Sequence, residues 1–136
     1  MQDYPIKIMQ FPKLHLPQGS TGKTGEDIAC DFLRAKGYRI LARNFRTKIG
    51  ELDIICHKAG AYIFVEVKTL QAGSEAYSPE LHFTPDKLRK MQRAALMYFK
   101  TNRMSPETNM QFDLLCVELD EGDAKPVVRQ YENLGT

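Results

Sequence analysis

The sequence reads GELDII at residues 50–55 and IFVEVK at residues 63–68, and the two stretches together predict a β-hairpin. Side chains alternate between the two faces of a strand. An antiparallel pairing through a short turn at residues 58–61 therefore places Asp53 opposite Glu66. The predicted apolar face contains Leu52, Ile54, Cys56, Ile63, Val65 and Val67. The predicted polar face contains Glu51, Asp53, Glu66 and Lys68. A register shift of one residue would mix these two sets, so the apolar pattern itself favours this pairing.

Helical and strand patterns surround this hairpin. Apolar residues recur at helical spacing over residues 24–36 and stop before Gly37, which predicts a first helix. Residues 38–45 predict a strand that leads into the hairpin. Thr84 and Pro85 are typical of the cap and first residue of a second helix.

Two apolar stretches follow the second helix. Residues 111–119 predict another strand, and residues 127–131 predict a final edge strand. The expected fold class is therefore α/β, with its elements in the order α-β-β-β-α-β and then the extra edge strand.

The length of 136 residues suits one domain. Residues 1–21 contain Pro5, Pro12 and Pro17 with little periodicity, so we expect a flexible N-terminal arm before a single domain at 22–136. We find no apolar run long enough for a membrane span and no secretory signal, and a cytoplasmic protein is expected. Its three cysteines are widely spaced, which argues against a disulfide framework or a cysteine zinc site.

Basic residues are concentrated in two segments, although the net charge of +2 is small. Residues 34–48 and 87–103 contain several lysines and arginines and no acids. Such segments are suited to nucleic-acid phosphates, and a solvated surface is the commoner alternative. The predicted nucleic-acid-binding residues are Arg43, Arg46, Lys48, Lys87, Lys90 and Arg93.

Asp53 and Glu66 would repel each other on one sheet face unless a proton or a cation lies between them. Mg²⁺ prefers oxygen ligands and usually takes one or two carboxylates, so the pair suits Mg²⁺ or Mn²⁺, with the main-chain carbonyl of Val67 as a further ligand. Lys68 projects from the same face and would stabilise negative charge on a reacting phosphate. The alternative is a surface hairpin in which Lys68 forms a cross-strand ion pair with Glu51 or Glu66.

Glu26 has two interpretations. In the first turn of a helix, a carboxylate is stabilised by the helix dipole. Ala29 and Leu33 follow it on the buried side, so Glu26 could also point towards the sheet and complete a metal site.

Five motifs together resemble the bacterial YraN-like family, whose members look like endonucleases of the PD-(D/E)XK, or restriction-endonuclease-like, superfamily. The motifs are Gly25-Glu26, RNFR at 43–46, GELD at 50–53, FVEVKT at 64–69 and Phe112-Asp113. The resemblance spans about residues 22–132. It implies a mixed sheet flanked by helices, as in the similar Holliday-junction resolvases.

The resemblance also implies residue roles. Glu26 corresponds to the helix-borne acid of resolvase-like nucleases, Asp53 and Glu66 to the two acids of the superfamily motif, and Lys68 to its lysine. Relatives often carry a basic residue where this chain has Leu70. The implied function is a Mg²⁺- or Mn²⁺-dependent endonuclease acting on DNA, including branched DNA, with RNA not excluded by the sequence.

Cleavage of a junction needs two sites on opposed strands, which favours a homodimer. The alternative is a non-catalytic nucleic-acid-binding or assembly module that retains the nuclease fold.

Overall fold

The computed structural model describes residues 6–10, 24–71, 83–119 and 126–135. Six strands and two helices lie within these ranges. The strands are β1 (Ile6–Gln10), β2 (Arg39–Arg46), β3 (Glu51–Lys58), β4 (Ala61–Gln71), β5 (Met110–Leu119) and β6 (Val127–Tyr131). The helices are α1 (Gly25–Ala35) and α2 (Pro85–Thr101).

The strands form one sheet in the order β1-β6-β5-β4-β3-β2. β4 and β5 are parallel, and every other neighbouring pair is antiparallel, so the sheet is mixed. The α/β fold class and the order α-β-β-β-α-β are confirmed. β6 was predicted at the edge of the sheet, but β1 pairs with it on the outside. No strand was predicted for residues 6–10, and the rest of the N-terminal arm lies outside the described residues.

The hairpin of β3 and β4 has the predicted register, from Ile54 opposite Val65 to Lys58 opposite Ala61. Ala59 and Gly60 form its turn with φ angles of 51° and 80°. Two successive positive φ angles are what a type I′ turn requires, and this turn matches the twist of paired strands. The paired register ends at Ile54 and Val65, so Asp53 and Glu66 come just beyond it.

Both helices begin as the sequence predicts. The side-chain oxygen of Thr24 accepts a hydrogen bond from the Asp27 amide, while the Asp27 carboxylate accepts one from the Thr24 amide. This reciprocal capping box fixes the start of α1. α2 starts at Pro85, and Thr84 accepts a hydrogen bond from the Lys87 amide at 3.1 Å.

Each face of the sheet packs against one helix. The cluster beneath α1 includes Phe32, Leu33, Ile54, Cys56, Ile63, Val65, Leu115 and Val117. The cluster beneath α2 includes Leu52, Ile55, Phe64, Met91, Ala95, Phe99, Leu114 and Tyr131.

Leu52 was predicted on the same sheet face as Ile54, and this prediction was wrong. It lies in the cluster beneath α2, whereas Ile54 lies in the cluster beneath α1. The alternation of faces therefore breaks between them, at Asp53. The irregularity separates the first residues of β3 from the regular hairpin and is where the candidate site begins.

Within the described part of the chain, neither helix is long and apolar enough to cross a membrane. Cys30, Cys56 and Cys116 are buried and free. No disulfide links these three cysteines.

Candidate active site

Asp53 and Glu66 meet where β3 and β4 stop pairing regularly. The Val67 amide donates a hydrogen bond to Asp53 Oδ2 at 2.8 Å. The carboxyl groups of Asp53 and Glu66 are also close enough for the charge of Asp53 to raise the pKa of Glu66. The predicted pair of acids is therefore brought together on neighbouring strands. Sharing a proton is one way for two such carboxyl groups to coexist.

The surroundings of this acidic pair disfavour two negative charges. Burial, followed by the charge of Asp53, raises the pKa of Glu66 to about 7. Burial also raises the pKa of Asp53, although the hydrogen bond from the Val67 amide opposes that effect. A divalent cation would relieve the same repulsion without requiring a proton.

Glu26 is directed towards this pair by the start of α1. Gly25 packs so closely on β4 that an added Cβ would lie 1.9 Å from Oγ1 of Thr69. Burial raises the pKa of Glu26, and the charge of Asp53 is the next cause. Its Oε1 atom is buried and has no hydrogen-bond partner among the described residues. Of the two interpretations left open by the sequence, this environment favours the one that directs Glu26 towards the sheet.

Lys68 follows Glu66 by two residues on β4 and is exposed. Within the described ranges its ammonium group forms no ion pair. The cross-strand pairing of Lys68 with Glu51 or Glu66, which was the structural alternative, is therefore absent from these residues. The ammonium group of Lys68 is therefore free to contact a ligand that binds beside Glu66 on β4.

Lys87 contacts the site from the first turn of α2. Its Nζ atom lies 3.2 Å from Glu66 Oε2, and the two side chains are 34% and 14% exposed. Lys87 was predicted to bind phosphate, and its ion pair with Glu66 was not predicted. No local pattern could have revealed it, because α2 and β4 are far apart in sequence.

A groove of about 340 Å³ lies beside the acidic pair, between α2 and the turn that joins β2 to β3. It contains four predicted nucleic-acid-binding residues: Arg46, Lys48, Lys87 and Lys90. The turn can approach α2 because Gly50 has no side chain, and a Cβ there would lie 2.9 Å from the Lys90 carbonyl oxygen. The fold thus brings the two basic segments of the sequence together.

The other two predicted nucleic-acid-binding residues do not line this groove. Arg43 forms an ion pair with Asp27 at 2.8 Å, which links β2 to the start of α1. Arg93 is exposed on α2. The structure gives Arg43 a connecting role within the domain.

Residues 25–117 match the uncharacterised protein family UPF0102. The chain belongs to this family. The UPF0102 protein of Syntrophomonas wolfei is 43% identical over 105 residues, which cover 76% of this chain and 89% of that relative. The UPF0102 protein of Trichlorobacter lovleyi is 39% identical over 116 residues, which cover 84% of this chain and 88% of the relative.

The UPF0102 match covers Glu26, Asp53, Glu66 and Lys68. UPF0102 is the YraN-like family that the motifs indicated.

The carboxylates of this UPF0102 protein suit a divalent cation, although they do not form a complete cage. In the described residues, no group of three or more His, Cys, Asp or Glu side chains is arranged to hold a metal ion. Mg²⁺ usually takes one or two carboxylates and completes its coordination with water and substrate oxygens. The donor pair of Asp53 and Glu66 and the buried, unpartnered Oε1 of Glu26 fit that requirement. A contribution from the Val67 carbonyl remains a prediction.

Asp113 belongs to a separate buried network of the UPF0102 domain. Its carboxylate accepts hydrogen bonds from Gln111 Nε2, Gln130 Nε2 and the Asn133 amide, at 2.9, 3.0 and 2.9 Å. Gln130 also donates to the Tyr38 hydroxyl and accepts from Lys36. These contacts join β5 and β6 to the segment after α1, so Asp113 has a structural role.

Proposed function

We propose that this UPF0102 protein is a metal-dependent endonuclease that hydrolyses phosphodiester bonds in DNA, including branched or structured DNA. The observation that carries the proposal is the buried acidic pair. Asp53 lies close enough for its charge to raise the pKa of Glu66, the pKa of Asp53 is raised as well, and a basic groove lies beside the pair. Two buried carboxyl groups of this kind are poorly explained by fold stability, because each negative charge there costs free energy.

In this proposal the chain supplies oxygen ligands from adjacent strands. Asp53 and Glu66 hold Mg²⁺ or Mn²⁺, the Val67 carbonyl adds a ligand, and Glu26 supports the site from α1. The bound cation would act as a Lewis acid on the phosphate and lower the pKa of an attacking water. The Val67 amide fixes the Asp53 carboxylate through the 2.8 Å hydrogen bond.

Lys68 supplies positive charge at the reacting phosphate. It lies on the same strand as Glu66 and is exposed to solvent. An ammonium group in this position stabilises the negative charge that develops on the phosphate oxygens in the transition state. The roles of Glu66 and Lys68 are therefore distinct, although only one residue separates them.

The groove would hold the polynucleotide backbone. Arg46, Lys48, Lys87 and Lys90 offer ammonium and guanidinium donors, which bind phosphate irrespective of base sequence. We expect binding to weaken steeply with salt, because each phosphate contact releases counterions. A homodimer would provide the two sites that opposed strands of a junction require.

One observation favours a second candidate, a non-catalytic nucleic-acid-binding module. The Val67 amide and Lys87 already provide Asp53 and Glu66 with partners inside the protein. In such a module the acids would serve the fold, and the basic groove alone would carry the function.

Cleavage assays separate the two candidates. Linear, nicked and four-way-junction DNA, together with RNA, are incubated with Mg²⁺ or Mn²⁺ and the wild-type, Asp53→Asn, Lys68→Ala or Lys100→Ala protein. Lys100 is an exposed lysine at the far end of α2 and serves as the matched control. We expect metal-dependent cutting that is lost in D53N and K68A and retained in K100A. DNA binding without cutting by the wild type would instead identify the module.

A further inference from the structure

Lys87 belongs both to the acidic pair and to the basic groove. Its Nζ atom is 3.2 Å from Glu66 Oε2, and its side chain lines the groove together with Arg46, Lys48 and Lys90. A polynucleotide in the groove would therefore place phosphates within reach of the same ammonium group. The two surroundings offer Lys87 alternative anionic partners.

Two other basic residues of the groove, Lys90 and Arg46, pair with different carboxylates. Lys90 pairs with Asp86 at 3.2 Å, and both side chains are more than half exposed. Arg46 lies 3.7 Å from Glu51, again between exposed side chains. Among these groove residues, Lys87 is the one paired with a carboxylate of the acidic pair in the described structure.

The contact between Lys87 and Glu66 is suited to exchange. Glu66 Oε2 has no hydrogen-bond partner of good geometry among the described residues, so Lys87 holds it as an ion pair. The lysine side chain is flexible and its head is a compact charge, which can pivot without moving the helix. A divalent cation at Glu66 would repel the ammonium group, since like charges at close range destabilise each other.

We infer that Lys87 is a positioning residue that exchanges between Glu66 in the metal-free protein and a nucleic-acid phosphate in the groove when a divalent cation is bound. This inference rests on the proposed function and adds a residue that couples its two ligands. Cation binding releases Lys87 for the phosphate, and phosphate binding removes a competitor of the cation. Such coupling is reciprocal by thermodynamic necessity.

Calorimetric titration with Mn²⁺ in the absence of DNA tests the first half of the exchange. Lys87→Gln removes the charge and leaves a polar side chain that is one atom shorter, so Mn²⁺ should bind roughly two- to tenfold more tightly than to the wild type. Lys87→Arg retains the charge and should bind Mn²⁺ like the wild type. Lys90→Gln is the matched control, because Lys90 lines the same groove and pairs with Asp86, and it should leave the affinity for Mn²⁺ unchanged.

Binding of a fluorescent DNA tests the second half of the exchange, the contact of Lys87 with a phosphate. The affinity is measured once in EDTA and once in Ca²⁺, and electrophoresis establishes that the DNA stays intact. K87Q should weaken DNA binding more in Ca²⁺ than in EDTA, because Lys87 reaches the phosphate only when the cation has taken its place at Glu66. K90Q should weaken binding by the same factor in both conditions. In Ca²⁺, the DNA affinity of K87Q should depend less on salt than that of the wild type. The slope of log affinity against log salt concentration should be smaller by about one, the value expected for one lost phosphate contact.

The outcomes distinguish this inference from the proposed function. If the wild type binds Mn²⁺ and K87Q binds it with equal or lower affinity, Lys87 merely supports Glu66, and the exchange is overturned while the metal site stands. An equal effect of K87Q on DNA binding in Ca²⁺ and EDTA would overturn it as well. If the wild type takes up no Mn²⁺, the metal site and the exchange fall together.

Discussion

Gly50 lies directly against the main chain of Lys90, and this contact joins the β2–β3 turn to α2. A Cβ at Gly50 would lie 2.9 Å from the Lys90 carbonyl oxygen and 3.1 Å from its Cβ. Two hydrogen bonds close the turn: the Thr47 hydroxyl donates to the Gly50 carbonyl oxygen at 2.8 Å and accepts from the Gly50 amide at 3.0 Å. The basic groove therefore depends on a position where any side chain would collide with backbone.

Gly50→Ala should push this turn away from α2. We expect the free energy of unfolding to fall by about 1–3 kcal/mol, the usual cost of overpacking, and DNA affinity to fall with it. Affinity for Mn²⁺ should not change, because the acidic pair lies on other residues. Urea denaturation, DNA binding and calorimetry provide the three measurements. Normal stability and DNA binding in G50A would show that the groove does not need this close approach.

Gly25→Ala should disturb Glu26 at the opposite side of the site. The new Cβ would meet Oγ1 of Thr69 at 1.9 Å, so the start of α1 must shift away from β4. We expect lower stability by about 1–3 kcal/mol and slower DNA cleavage.

The double variant G25A/T69A tests the cause of that loss. Removing Oγ1 and Cγ2 of Thr69 leaves only its Cβ, 3.0 Å from the added atom, so stability should recover in part. Additive losses in G25A and T69A would rule out the collision as the reason.

The raised pKa of Glu66 predicts that the stability of the metal-free protein depends on pH. The pKa of Glu66 rises from 4.5 to about 7 on folding, mainly by burial. Between these pH values the folded protein holds a proton that the unfolded chain has released, so stability must fall as pH rises through this window. Glu66→Gln should reduce that slope and be more stable than wild type at pH 8 by about 1–3 kcal/mol.

Urea denaturation at pH 5 and pH 8 in EDTA measures this effect. Glu107→Gln changes an exposed acid in the loop after α2 and is the control. A wild-type slope that survives unchanged in E66Q would mean that Glu66 does not hold the proton.

Asp113 should matter for stability and not for cation binding. Its carboxylate accepts hydrogen bonds from three donors in the core, which an asparagine amide cannot all satisfy. We expect Asp113→Asn to lower the free energy of unfolding by about 1–3 kcal/mol. Affinity for Mn²⁺, measured on the folded variant, should equal that of wild type. A selective loss of Mn²⁺ binding at unchanged stability would place Asp113 in the site instead.

Local patterns in the sequence were sufficient for the hairpin and the helix starts. The alternation of apolar residues fixes the pairing of Ile54 with Val65, since another register would expose the core. Thr84 marks a helix start because a side-chain oxygen can satisfy a free amide of the first turn, and the apolar spacing over residues 24–36 marks the first helix. These features depend on residues close together in the chain.

Features that depend on distant segments were missed or only partly predicted. The contact of Lys87 with Glu66 and the meeting of Gly50 with Lys90 require α2 to dock on the sheet, and no local pattern specifies that docking. The predicted sheet face of Leu52 was wrong because the prediction assumed a regular strand, whereas β3 is irregular at Asp53. The burial of Gln130 at the centre of the network could not be predicted, because a polar residue within a short strand is usually exposed to solvent.

Calorimetric titration of the metal-free protein with Mn²⁺ tests most directly whether Asp53 and Glu66 form a cation site. We expect saturable uptake by the wild type, loss of that uptake in both Asp53→Asn and Glu66→Gln, and retention in Glu51→Gln, whose side chain is exposed beside the groove. Circular dichroism establishes that each variant is folded. No uptake by the wild type, or equal uptake by D53N, would contradict the account.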